Sequence, residues 1–163
     1  MKKARAMGIP IVVIHEIHRP DGIDFGRELD GSETIHCIEE EGLPHLPRVG
    51  IGMTDGDYVV FKRRYSAFYA TDLEILLKGL QADTLILVGG LTDICIHFSF
   101  VDAHQGDYYC RVLDDCVSGS DLAAHEAALA NMEYLQAGSV MSSKDMLETL
   151  SEHVGHVTPL SQG

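Results

Sequence analysis

The sequence predicts an α/β fold in which helices cover both faces of a mostly parallel, doubly wound sheet. Short apolar runs rich in β-branched residues alternate along the chain with segments that have helical spacing. The 163 residues suit one domain. The content of 45% hydrophobic and 23% charged residues is typical of a globular protein. We therefore predict a single domain over residues 1–163, with a weakly patterned tail over residues 151–163.

The first half of the pattern supplies two strands that are separated by a long irregular stretch. Residues 9–14 form a short apolar run, and Pro10 suits the start of a strand. Residues 57–62 form the second strand. Residues 19–56 are rich in Pro and Gly, and a stretch of this length is often functional. Residues 70–81 place several leucines on one helical face, which predicts an amphipathic helix.

The second half begins with residues 84–88, which are almost wholly apolar, as expected for a strand covered on both faces. Gly89 and Gly90 end this strand. In parallel sheets, ligands bind beyond the carboxyl ends of the strands, so the residues there are candidates for a site. The remaining predicted elements are a helix over 93–105, a strand over 108–113, an acidic turn at Asp114 and Asp115, a helix over 121–136, a strand over 139–141 and a helix over 144–150.

The charge balance excludes several classes of partner. The net charge is −13 at pH 7, and an acidic surface repels nucleic acids and anionic membranes. No apolar run approaches the ~20 residues that a membrane-spanning helix needs, and the basic start lacks the apolar region of a signal peptide. The four cysteines contain no CxxC pair. We therefore expect a cytoplasmic protein with no nucleic-acid partner and no membrane partner.

Two predicted strands lead to residues that suit catalysis. Lys62 ends the strand over 57–62, and Cys95 follows the glycine turn at the predicted start of a helix. Free N–H groups at a helix start stabilise a thiolate and an oxyanion. The alternatives are a solvated strand end for Lys62 and a small core residue for Cys95. If both lie at one sheet edge, we expect Lys62 to lower the pKa of the Cys95 thiol and activate a nucleophile.

These stretches resemble the isochorismatase-like cysteine hydrolases, which include nicotinamidases, N-carbamoylsarcosine amidases, ureidoacrylate amidohydrolases and biuret hydrolases. The resemblance extends to about residue 150 and implies an isochorismatase-like, Rossmann-type three-layer fold. The segments that carry it are 60–62, 65–68, 89–95, Asp102-Ala103, Asp114-Asp115 and 125–129.

The family resemblance also implies an Asp–Lys–Cys triad. Cys95 would attack an amide carbonyl and form a thioester, with Lys62 stabilising the thiolate and orienting the Asp. Backbone N–H groups around Leu91 and Thr92, with that of Cys95, would form the oxyanion hole. Family members often carry a non-proline cis peptide in this turn, which is expected here near Leu91–Thr92.

The pocket residues follow from weaker similarities. The resemblance places Phe68 near the substrate, although a core aromatic is an equal alternative. Arg19 is a candidate for binding a carboxylate or ureido oxygen, because guanidinium holds such groups bidentately. Glu16, His18 and His36 are similar to regions where nicotinamidases place metal ligands. This stretch is more similar to the ureidoacrylate and biuret hydrolase branch, which is metal-free, so we expect no metal and no other cofactor.

The triad Asp is the point where the sequence departs from the family. In the family it ends a first strand, which precedes a helix whose last turn is similar to residues 2–8. That strand lies beside the one leading to Cys95, and its loss would leave apolar edges on both neighbours. Three explanations are open: a truncated sequence or misassigned start, a partner chain that fills the gap, or a degenerate pseudoenzyme.

The sequence therefore predicts a cysteine amidohydrolase that cleaves a C–N bond of a small carbamoyl, ureido or carboxamide substrate through a thioester. The alternative is a catalytically inactive homologue that acts as a subunit or binding module. The resemblance also implies a homo-oligomer.

Overall fold

A computed structural model of the chain describes residues 1–39 and 52–154. Part of the predicted irregular stretch, and most of the tail, lie outside these ranges. In chain order the elements are α1 (Lys2–Ala6), β1 (Val12–Glu16), a 3-10 turn (Glu28–Asp30), β2 (Tyr58–Lys62), α2 (Leu73–Gly79), β3 (Thr84–Gly90), a π turn (Thr92–Ile96), α3 (His97–Gln105), β4 (Tyr109–Ser118), α4 (Leu122–Leu135), β5 (Val140–Met141) and α5 (Ser143–Val154).

The strands pair in parallel, which confirms the predicted α/β class. They form two sheets: β1 pairs with β2, and β3, β4 and β5 follow one another in the second sheet. In the first sheet Val12 lies opposite Tyr58, and Glu16 lies opposite Lys62. Within the described ranges, β1 and β3 therefore each have a single strand neighbour.

The prediction that β3 is covered on both faces is wrong. None of its residues is buried, and Val88 is 47% exposed. Because β3 pairs only with β4 among the described strands, one of its edges lacks a strand partner. The strand that is covered on both faces is β4, since the adjacent Val112 and Leu113, which point to opposite faces, are 0% and 8% exposed.

The hydrophobic core lies between the second sheet and the helices α3 and α4. Phe100 of α3, Met132 of α4 and Cys110 of β4 are each 0% exposed. Val60 of β2, which is 2% exposed, belongs to the same cluster. This shared core fixes the carboxyl ends of β2 and β3 relative to α3.

The predicted acidic turn after residue 113 is wrong, because β4 continues to Ser118. Val117 and Ser118 pair with Gly89 and Gly90 of β3 beyond a register shift. The Asp115 carboxylate accepts hydrogen bonds from the backbone N–H and the hydroxyl of Ser143, at 2.8 and 2.7 Å, and so anchors the start of α5.

Two other local expectations are corrected. Cys116, which follows the strand predicted over 108–113 and its acidic turn, lies within β4, and α5 extends to Val154 rather than to residue 150. The predicted N-terminus of α4 is confirmed, since the Asp121 side chain caps it by accepting from the N–H of Ala124 at 2.9 Å. Within the described residues, no helix has the length and apolar character needed to cross a membrane.

Candidate active site

Two strand ends bring a carboxylate and an ammonium group together. Glu16 ends β1 and Lys62 ends β2, and the parallel register places them side by side. The Lys62 ammonium donates a hydrogen bond to Glu16 Oε2. It also donates to the Arg64 carbonyl at 2.8 Å and lies 3.4 Å from Cys95 Sγ. The Lys62 side chain is 5% exposed, so the alternative of a solvated strand end does not apply.

Cys95 lies in the π turn that follows β3. Its thiol is directed at Glu16 Oε2, with the sulfur 3.8 Å from that oxygen. The structure therefore joins the two predicted catalytic residues, Cys95 and Lys62, to a carboxylate that the sequence reasoning placed only in a metal-binding context. A thiol, an ammonium group and a carboxylate therefore lie in mutual contact.

The expected lowering of the Cys95 pKa is not found. Burial raises the pKa of the thiol above its ordinary value, and the negative charge of Glu16 adds to the rise. The charge of Lys62 and the backbone N–H of Leu91 lower the pKa, but they do not overcome burial. Cys95 is therefore a thiol rather than a thiolate at neutral pH, and a role as a nucleophile would require a base that removes its proton.

The second oxygen of Glu16 faces two imidazoles. Glu16 Oε1 lies 2.9 Å from His36 Nε2 and 3.7 Å from His18 Nε2. Burial alone would raise the pKa of Glu16, but the hydrogen bonds and charges of Lys62 and His36 lower it below its ordinary value. Glu28 completes the group, with Oε2 3.4 Å from His18 Nε2. Burial, followed by the charge of Glu16, raises the pKa of the Glu28 carboxyl.

These four residues fit a metal ion. One ligand atom from each of Glu16, His18, Glu28 and His36 lies within 4.8 Å of the others. The His18 side chain is 0% exposed, and neither of its ring nitrogens has a hydrogen-bond partner. Both carboxyl oxygens of Glu28 are likewise buried and have no hydrogen-bond partner. Two carboxylates and two imidazoles suit zinc or a related divalent ion. We name these four residues the acid–histidine cluster.

A cavity of about 370 Å³ adjoins this cluster, with His15, Glu16, His36 and Cys37 in its lining. A space of this size is within the range that holds a small molecule. Glu16 thus lines the cavity, belongs to the acid–histidine cluster and contacts Cys95.

Of the predicted oxyanion residues, Leu91 directly precedes the π turn that contains Cys95, and Thr92 is the first residue of that turn. The cis peptide bond joins Gly90 to Leu91, one position before the expected one. Thr92 is 0% exposed, and its hydroxyl lies 2.9 Å from His125 Nδ1. In the sequence His125 stands out only as part of the segment 125–129 that resembles the family, and no local signal predicts its contact with Thr92.

Phe68 and Arg19 occupy less informative positions. Phe68 packs against the hydrophobic core, with its ring 6.1 Å from that of Tyr108, in line with the alternative of a core aromatic. The Arg19 side chain is 58% exposed and forms an ion pair with Asp21 at 2.8 Å. A substrate contact by either residue stays a prediction.

Glu28 was missed from the sequence because its neighbours in the chain carry no metal-site signal. It lies in a 3-10 turn, and only the folded loop directs it at His18. Glu16 was named as a possible metal ligand, but its contact with Lys62 was not. Lys62 ends the predicted strand over 57–62, but Glu16 lies two residues beyond the predicted strand over 9–14, so the predicted bounds did not place the two side by side.

Comparisons with known proteins agree with this architecture. Residues 1–145 match the isochorismatase domain. The isochorismatase family protein YaaI of Bacillus subtilis is 32% identical over 112 residues, which are 69% of this chain and 61% of YaaI. The maleamate amidohydrolase of Pseudomonas putida is 35% identical over 100 residues, covering 61% of this chain and 46% of that enzyme. The chain thus matches less than two thirds of the length of either relative.

Among solved structures, the pyrazinamidase/nicotinamidase of Streptococcus mutans superposes with a TM-score of 0.74 at 27% identity, covering 86% of this chain and 80% of that one. The similarity extends beyond the cysteine turn to most of the fold.

Proposed function

Because the chain belongs to the isochorismatase family, we propose that it is a cysteine amidohydrolase that cleaves a C–N bond of a small carbamoyl, ureido or carboxamide substrate. The observation that carries this proposal is the contact of Cys95 with Lys62 and Glu16, at 3.4 and 3.8 Å. The similarity to a maleamate amidohydrolase and to a pyrazinamidase/nicotinamidase supports the same reaction class.

In the proposed reaction, Cys95 Sγ forms a bond with the carbonyl carbon while its proton moves to Glu16 Oε2. The carbonyl electrons move to oxygen, and backbone N–H groups at Leu91, Thr92 and Cys95 stabilise the oxyanion. The C–N bond then breaks, and the leaving nitrogen takes the proton from Glu16. Water then attacks the thioester carbon and the C–S bond breaks, while one proton of the water passes to the sulfur, so the carboxylic acid is released and the thiol is regenerated.

Lys62 has two tasks in this scheme. Its ammonium lies against both the sulfur and the carboxylate, so it stabilises the negative charge that passes from one to the other. Its hydrogen bond to the Arg64 carbonyl holds the group in place while the charge moves.

Contrary to the expectation of no metal from the sequence, we also propose that the acid–histidine cluster binds a divalent metal ion, held by Glu16, His18, Glu28 and His36. Both ring nitrogens of His18 and both carboxyl oxygens of Glu28 are buried without a hydrogen-bond partner, which supports this assignment, since leaving such atoms without a hydrogen bond or a bound ligand is costly. A metal in this position would supply Lewis acidity and orient a polar substrate group. The same cluster leaves Glu16 Oε2 directed at Lys62 and Cys95.

The test is ammonia release from a panel of small primary amides, ureido acids and N-carbamoyl compounds. We expect at least one to be hydrolysed by the wild-type chain and by a Cys116→Ser control, and by no preparation of Cys95→Ser. Cys116 is an exposed cysteine of β4, so its loss controls for cysteine removal in general. Turnover that survives Cys95→Ser would refute the proposed nucleophile.

Failure of the whole panel, in a protein that binds one of these compounds without consuming it, would favour the alternative of an inactive binding module. Isothermal titration with the same panel distinguishes the two cases.

A further inference from the structure

His125 contacts the turn that carries the proposed oxyanion donors, although it is not part of that turn. It lies in the first turn of α4, one residue beyond Ala124, whose N–H is capped by Asp121. Its Nδ1 is 2.9 Å from the hydroxyl of Thr92, and Thr92 is 0% exposed. A buried hydroxyl with one well-placed partner has a defined orientation.

The next residue of the turn is held by the segment that precedes α4. The Asp93 carboxylate accepts hydrogen bonds from the backbone N–H and the hydroxyl of Ser120, at 2.8 and 2.5 Å. Gly119 permits this approach, because a Cβ there would lie 2.7 Å from His125 Cβ and 2.9 Å from Asp93 Oδ1. Two consecutive residues of the turn are thus attached to a single segment, residues 119–125.

The same turn is closed from within by the Leu91 carbonyl, which accepts from the N–H groups of Ile94 and Ile96 at 3.2 and 3.0 Å. The N–H of Thr92 belongs to the same trans peptide as this carbonyl and so points to the opposite side of it. It is one of the N–H groups assigned to the oxyanion. Their direction depends on the orientation of the peptide planes at Leu91 and Thr92. An oxyanion site works only if its donors are already in place, and a displacement of about 1 Å costs about 100-fold in rate.

We infer that His125 is a positioning residue, which holds Thr92 so that the backbone N–H groups of the turn face the oxygen of the attacked carbonyl. This inference rests on the proposed function, because it concerns the acyl-transfer step. His125 itself touches neither the sulfur nor the substrate in this role.

The test compares two reactions of Cys95 that differ only in the need for an oxyanion. Acylation by p-nitrophenyl acetate passes through a tetrahedral oxyanion and releases nitrophenolate. Alkylation by iodoacetamide displaces iodide at a saturated carbon and forms no oxyanion. Both rates are measured on the full chain, and the label on Cys95 is located by mass spectrometry.

For His125→Ala we expect acylation to fall about 10- to 100-fold while alkylation stays within about twofold of wild type. His125→Asn, which retains a polar atom near the Nδ1 position, is expected to restore acylation to within about threefold. Thr92→Val is expected to match His125→Ala, and combining the two is expected to add little. Glu126→Ala, at an exposed neighbour on α4, is the matched control and is expected to leave both rates unchanged.

Equal losses in acylation and alkylation would overturn the inference, because they would indicate a general disturbance of the site. Unchanged acylation in His125→Ala would overturn it as well, while leaving the proposed nucleophile intact. A wild-type chain in which p-nitrophenyl acetate does not acylate Cys95 would instead refute the proposed function, and the inference with it.

Discussion

Replacing Glu28 by Met is expected to stabilise the metal-free protein and to weaken its response to zinc. The Glu28 side chain is 1% exposed, and neither of its oxygens has a hydrogen-bond partner. Methionine has a similar length and volume but no polar oxygen, so it removes the unsatisfied atoms without opening a cavity.

The size of the effect follows from this burial. A buried polar group left without a partner costs about 1–3 kcal/mol, so the free energy of unfolding of Glu28→Met should rise by about that amount. For a domain of this size, this corresponds to a rise of about 2–12 °C in Tm. In zinc at 100 times its Kd, wild type should gain about 2.7 kcal/mol, whereas Glu28→Met should gain much less because one ligand is lost.

The assay is urea denaturation at pH 8, in EDTA and in zinc, for wild type, Glu28→Met and a Glu74→Met control. Glu74 forms an exposed ion pair with Lys78, so its replacement should change stability by less than about 1 kcal/mol. If Glu28→Met is less stable than wild type in EDTA, Glu28 stabilises the fold through His18 and the reasoning is refuted. If zinc stabilises neither protein, the metal assignment is wrong.

Three further predictions concern the site, the core and one ion pair. Lys62→Met should slow acylation of the nucleophilic cysteine by at least about 100-fold in stopped-flow measurements, and an unchanged rate would exclude its electrostatic role. Met132→Ala, at a 0% exposed position, should lower the free energy of unfolding by about 2–5 kcal/mol in urea, whereas Tyr134→Ala, at an 88% exposed position of the same helix, should change it by less than about 0.5 kcal/mol. A hydrogen bond from the Arg5 guanidinium holds the pKa of Asp57 at about 2 rather than 3.8, so the pair stabilises the fold above pH 3.8 and this contribution is lost as the pH falls towards 2. Urea denaturation should therefore show Asp57→Asn converging with wild type across that interval, and a constant difference would contradict the assignment.

The parts of the fold that sequence predicted well are those with local causes. The apolar run before Gly89 and the turn that leads to Cys95 are visible within a dozen residues. The start of α4 was equally local, because Asp121 caps it within its own first turn.

The errors came from partners that are distant in the chain. Asp114 and Asp115 have the composition of a turn, but Asp115 is bound by Ser143 at the start of α5 and stays in a strand. β3 has the composition of a strand that is buried on both faces, yet none of its residues is buried. Burial of a strand depends also on its neighbours, and among the described strands only β4 pairs with β3.

In the site, too, the local features could be predicted from the sequence, whereas the contacts between distant residues could not. Cys95 and Lys62 follow from strand ends and motif, and the structure places them 3.4 Å apart. The contacts of Glu16 with both residues depend on the pairing of β1 with β2, which sets Glu16 opposite Lys62. The raised pKa of Cys95 also required the structure, because burial and the charge of Glu16 act against Lys62.

The most direct measurement is rapid-quench mass spectrometry of the chain during turnover of an amide that it hydrolyses. We predict a transient acyl adduct, located by digestion on the peptide that contains Cys95. One equivalent of ammonia should be released as each adduct forms. The adduct should be absent from Cys95→Ser and unaffected in Cys116→Ser. Turnover with no adduct on Cys95 at any time, or with an adduct on another cysteine, would contradict the account.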